Sequence, residues 1–193
     1  MKTLKLTAKD FKDTDSYYKE YCGTENVADF DGSIEIEANL GWVKFLSLKV
    51  TGSIVAKAGS GIKAGEGIEA GSGIEAGWGI KAGEGIKAGW GIKAGEGIKA
   101  GEGIEAGSGI KAGEGIEAGW GIEAGWGIEA GEGIEAGWGI VTFFTGGIKA
   151  KLGIKIDARC AIAAGIFSNE GAQPVEAKTI EGNVVYGIKK ITN

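Results

Sequence analysis

Carboxylates and indoles are the side chains here whose types and spacing bear on chemistry. Glu129 and Glu132 stand three residues apart, with Glu123 and Glu135 in the same repetitive stretch. Paired carboxyl groups serve as general acid and general base when a water-excluded pocket drives their pKa values apart. Nothing in the surrounding sequence suggests such a pocket. The chain also has no histidine. That removes the commonest general base, the commonest metal ligand and the middle member of any Ser-His-Asp or Cys-His device. The stretch GEGIEAG superficially matches a nucleotide-binding glycine loop, but that fingerprint needs a strand before it and a helix after it, and here it simply repeats. The hexads contain neither the Asp of calcium-binding β-rolls nor the Thr arrays of ice-binding solenoids. No enzyme activity, metal or cofactor is expected.

The indoles are more informative. Trp78, Trp90, Trp120, Trp126 and Trp138 all fall in one slot of a hexad that elsewhere holds Glu or Ser. A buried position does not accept volumes from Ser to Trp without cavities or strain, so the slot faces outward or lies at a corner. Exposed Trp is enriched at interface hot spots. These five tryptophans, together with Glu123, Glu129, Glu132 and Glu135, form the candidate partner-binding surface. The alternative is that the indoles stack on one another and stiffen the corner.

The element that positions them is the hexad Ile-x-Ala-Gly-x-Gly. Ile recurs every six residues from Ile62 to Ile140, and Ala follows two residues later from Ala64 to Ala136. A helix would scatter six-residue neighbours around its surface, and two glycines per hexad would cost it about 2 kcal/mol. In a strand, Ile and Ala share the inward face, while the Lys or Glu between them points to solvent. Gly-x-Gly then forms the bend, since glycine tolerates backbone angles closed to other residues. Successive hexads wind into a coil, and the fold class is an all-β parallel β-solenoid. The small inward Ala and the twelve-residue spacing of Trp78 to Trp90 and Trp126 to Trp138 favour two hexads, or twelve residues, per coil, with three hexads as the alternative. Two per coil gives seven coils and roughly 34 Å of rod.

Over about residues 54 to 156 this pattern resembles the hexapeptide-repeat proteins of the left-handed β-helix superfamily, whose hexads begin with an inward aliphatic residue. Those proteins usually carry a small fifth residue, where this chain has Glu, Ser or Trp. Many members are acyltransferases that use histidine, or carbonic anhydrases with zinc on three histidines. Neither chemistry carries over to a chain without histidine.

Flanking the repeat at 59–140 are an expected N-terminal cap at 1–58 and C-terminal coils with a capping hairpin at 141–193. The stretch DTDSYYKEYCG predicts one short helix, with Asp13 or Asp15 as N-cap and Gly23 as stop. SIEIEANLGWVKFLSLKVTGSIVA predicts strands leading into the first coil, and KTIEGNVVYGIKKI a hairpin turning near Gly182 and Asn183. Cys22 and Cys160 sit in unrelated contexts and are expected as reduced thiols. With no signal peptide or membrane span visible, the expected location is cytoplasmic.

Charge is uneven along the 193 residues, whose net charge is −5. Lys and Glu balance from Ile62 to Gly101. From Glu102 to Glu135 only Lys111 offsets a series of Glu, and the stretch after Ile140 is mildly basic. This is either a solvated face that keeps the protein soluble or a surface for a basic or nucleic-acid-binding protein partner. Direct nucleic-acid binding is disfavoured because the carboxylates repel phosphate. The expected function is a non-catalytic protein-interaction scaffold. The alternatives are a phage-encoded counter-defence inhibitor in the style of anti-CRISPR proteins and a self-assembling rod, which would include a homo-oligomer formed through the Trp strip.

Overall fold

The computed structural model describes residues 1–14, 16–156 and 161–192. Each Ile-x-Ala triplet is a three-residue strand with Ile and Ala buried and the charged residue between them exposed, as in Ile86–Ala88 and Ile104–Ala106. The pleat alone accounts for this alternation. The described strands form three sheets of ten, ten and eight members, parallel apart from the terminal pair of the second, and these are the faces of a triangular coil. We number them first, second and third in that order. The chain visits them in turn, with Ile74–Ala76 on the first, Ile80–Ala82 on the second and Ile86–Ala88 on the third.

One coil therefore takes three hexads. Ile74 lies beside Ile92, Ile92 beside Ile110 and Ile110 beside Ile128, so the vertical neighbour is eighteen residues away. The expected twelve-residue coil is incorrect. A two-sided coil would have to reverse the chain within each Gly-x-Gly. No glycine of the repeat between Gly65 and Gly139 has a positive φ. Each corner bends by about a third of a turn instead, and three such bends close the coil.

The repeat glycines are needed for a different reason than backbone freedom. A Cβ on the first glycine of a corner would overlap a carbonyl oxygen of the coil below; at Gly101 the oxygen is that of Gly83, with its carbonyl carbon 3.0 Å away. The second glycine is far less confined, since a Cβ at Gly103 would meet only the Gly121 oxygen at 3.5 Å. Inside, the isoleucines stack into three ladders that are almost wholly buried. Each contributes roughly 1.5–3 kcal/mol of apolar burial.

Parallel stacking continues past both borders of the repeat. Ser33–Ile36, Gly41–Phe45, Leu48–Val50 and Ile54–Ala56 are the expected leading strands and already belong to the three faces. The N-terminal helix is absent. Phe11–Asp13 and Tyr18–Tyr21 instead pair as an antiparallel hairpin, and among the described residues the only helical turn is a short 3-10 segment at Ala8–Asp10. Burial decided this. Phe11, Tyr21 and Phe45 pack ring against ring at 5.5–5.9 Å over the end of the core, and the hairpin places two of them there together. Asp15, the other expected cap residue, lies outside the described residues.

At the far end VTFFTGG adds two residues to its turn, so that Ile128 pairs with Ile148, after which Ile148–Ala150 and Gly153–Ile156 rejoin the ladder. The expected closing hairpin is also incorrect. Thr179–Glu181, Asn183–Tyr186 and Ile188–Ile191 each pair in parallel with a different face. Gly182 and Gly187, at φ 137° and 135°, turn the corners between them. The last coil leaves Ile188 and Ile191 exposed, and Lys189, which takes the register position of the buried Val175, donates its ammonium to the Ile180 carbonyl at 3.4 Å. Cys22 is a free, exposed thiol, and Cys160 lies outside the described residues. No described helix is long and apolar enough to cross a membrane.

Candidate partner-binding grooves

The fifth slot of the hexad projects from the corners, and backbone hydrogen bonds stack it into columns. Trp120 N–H donates to Glu102 O, and Trp138 N–H to Trp120 O, so Glu66, Glu84, Glu102, Trp120 and Trp138 run up the corner between the second and third faces. Ser72, Trp90, Ser108, Trp126 and Phe144 occupy the corner between the third and first faces. Trp78, Glu96, Glu114, Glu132 and Leu152 occupy the remaining one. The expected single Trp strip is therefore three separate columns, and the indole pairs at twelve-residue spacing sit on different corners.

Four of the five slot tryptophans are well exposed: Trp90 69 %, Trp120 54 %, Trp126 52 % and Trp138 67 %. Trp120 and Trp138 stack at 6.2 Å and 27°, and Trp126 packs on Phe144 at 5.7 Å. Both pairs join neighbouring coils of one corner. Trp78 is half-buried against Trp42, edge to face at 6.5 Å.

Along each face a groove runs between the corner column and the charged column of the strands, and the second glycines of the corners line its floor. The groove on the third face measures about 650 Å³ and extends from Ser47 to Val141, floored by Gly67, Gly85, Gly103, Gly121 and Gly139. The grooves on the second and first faces measure about 770 Å³ and 360 Å³.

The faces carry ladders of vertical ion pairs. Lys87 meets Glu105 at 2.9 Å, Lys93 meets Glu75 at 2.9 Å, Lys99 meets Glu117 at 2.7 Å and Lys111 meets Glu129 at 2.9 Å. The hydrogen bond to Glu105, with the nearby charges of Glu69 and Glu123, raises the Lys87 pKa above the usual lysine range. These pairs are hidden in the sequence, because opposite charges occur about as often at twelve residues as at eighteen.

Of the predicted carboxylates, Glu129 is on the first face and tied to Lys111, and Glu135 is on the second and paired with Lys155 at 3.4 Å. Glu132 belongs to the corner column of Trp78. Only Glu123 shares the third-face groove with Trp120 and Trp138. Glu84 lines that groove too, and neither it nor Glu102 was singled out from the sequence. Glu84, Glu102 and Glu123 form no ion pair among the described residues. Among the described residues no group of three or more Cys, Asp or Glu could hold a metal ion. No protein-family model, curated protein or solved structure matches this chain.

Proposed function

We propose that this protein is a non-catalytic interaction scaffold whose rigid solenoid presents an acidic, Trp-bearing surface to a basic protein partner. The stacked and exposed Trp120–Trp138 pair carries this reading. The corner slot is filled elsewhere by Glu or Ser with the same backbone ladder, so the coil does not require an indole there. Large aromatic surface left in water where the fold does not demand it is the mark of a contact site. The unpaired Glu84, Glu102 and Glu123 around it give the surface a sign.

Replacing Trp120, Trp126 and Trp138 with Ser tests the reading. Partner capture is expected to fall away while circular dichroism is unchanged. Undiminished capture of the same partner would refute the surface assignment. An inhibitor that covers a nucleic-acid-binding protein is one form such a scaffold takes, and a counter-defence setting among the neighbouring genes would favour it.

A further inference from the structure

The floor of the third-face groove separates what the fold needs from what it tolerates. At Gly67, Gly85, Gly103 and Gly121 an added Cβ meets nothing closer than 3.4–3.5 Å, so these glycines are not demanded by the packing of the coils. They keep the floor bare. The groove passes six coils, roughly 24 Å of rod at the ordinary strand spacing, which matches about seven residues of extended chain. The floors of the other grooves are tighter, an added Cβ meeting a carbonyl oxygen at 3.2–3.3 Å at Gly73, Gly91, Gly97 and Gly109, and the walls distinguish this groove further.

Six charged side chains line it. Lys49 and Lys87 are already bound to Glu69 and Glu105, both at 2.9 Å. Glu84 and Glu123 form no ion pair among the described residues, although the Lys87 ammonium, held by Glu105, also feels the charge of Glu123. Glu102 stands in the corner column between Glu84 and Trp120. The Trp120–Trp138 pair overhangs the same end. A groove that offers indole faces beside unpaired carboxylates is complementary to a planar cation. A guanidinium stacks on indole and simultaneously donates in its plane to a carboxylate, which a lysine ammonium does not do.

We infer that this groove receives an extended, arginine-bearing segment of the partner protein, one guanidinium lying against the Trp120–Trp138 pair and donating to Glu123. This inference rests on the scaffold reading and gives its contact a place and a chemistry. The segment lies along the rod, its backbone over the glycine floor, with further arginines directed at Glu84 and Glu102.

The test is isothermal titration of the full chain with the acetylated, amidated peptide Gly-Arg-Gly-Arg-Gly-Arg-Gly. Its counterparts carry lysine or neutral citrulline at the three arginine positions, and indole N–H resonances are followed in parallel. The arginine peptide is expected to bind and to shift the Trp120 and Trp138 signals. The lysine form should bind several-fold more weakly and the citrulline form not measurably. Glu123→Gln is expected to weaken binding about tenfold, as is Trp120→Ser with Trp138→Ser. The pair Glu96→Gln and Glu114→Gln, on another corner, should leave it unchanged. Equal binding of the citrulline peptide, or binding of cellohexaose in place of the arginine peptide, would overturn the occupant. Loss of binding only in the Glu96 and Glu114 variant would overturn the groove and leave the scaffold standing. Failure of every cationic peptide to bind would overturn both.

Discussion

Two glycines two residues apart, Gly101 and Gly103, should respond in opposite ways to the same substitution. In Gly101→Ala the new methyl group would collide with the carbonyl of Gly83 in the coil below, whose carbon lies 3.0 Å from the ideal Cβ. Relief requires the coils to part at this corner, stretching the Gly101 N–H bond to Ala82 O at 3.1 Å and the Glu102 N–H bond to Glu84 O at 3.2 Å. Two weakened hydrogen bonds cost about 1 kcal/mol each. Overpacking adds about 1–3 kcal/mol, for a total of about 3–5 kcal/mol. In a chain of this length that lowers the melting temperature by on the order of 10 °C. Gly103→Ala meets only the Gly121 oxygen at 3.5 Å and has no positive φ to maintain. It should be neutral or stabilise by up to about 1 kcal/mol, because alanine restricts the unfolded chain. Urea and thermal denaturation of the two variants against the parent measure the contrast. Equal destabilisation by both, or a larger loss from Gly103→Ala, would refute the argument that coil-to-coil approach, and not backbone freedom, sets the first glycine.

Lys189→Ile removes the charge that crosses the open end and leaves an apolar edge strand in its place; sedimentation is expected to show concentration-dependent association absent from the parent, and a variant that stays monomeric would refute this role. The raised pKa of Lys87 derives first from its hydrogen bond to Glu105, so the pair stabilises the fold below the unfolded lysine value and the contribution is lost as pH rises through the higher folded value. NMR titration should therefore show the Lys87 amine deprotonating at lower pH in Glu105→Gln than in the parent, and identical curves would contradict the assignment.

Much of this fold was legible in the hexad. Ile and Ala inward, Lys or Glu outward and Gly-x-Gly at a corner all hold, because a period of two within each triplet has one physical solution. The number of triplets per coil was hidden, since every hexad is the same to its core-facing residues. Trp126 with Trp138 suggested twelve, three hexads stood as the alternative, and the strand register of the folded chain distinguishes them. The N-terminal segment was misread because local capping signals lost to the demand for Phe11 and Tyr21 over an otherwise open core. As for the site, the tolerant slot was visible, but which slot residues share a corner depends on the coil. That is why Glu84 and Glu102 were missed and Glu129 and Glu135 were grouped with indoles they do not meet.

The three-hexad coil also has a genetic meaning. Losing or gaining a single hexad would leave the isoleucine ladders intact, since one triplet substitutes for another inside. Everything on the far side of the event would nonetheless swing by a third of a revolution, carrying Trp120 and Trp138 away from Glu84 and Glu102. Only a slip of three hexads restores the alignment. Length changes in such a gene therefore come in two kinds: those that rotate one half of the exterior against the other, and those that merely lengthen or shorten the rod.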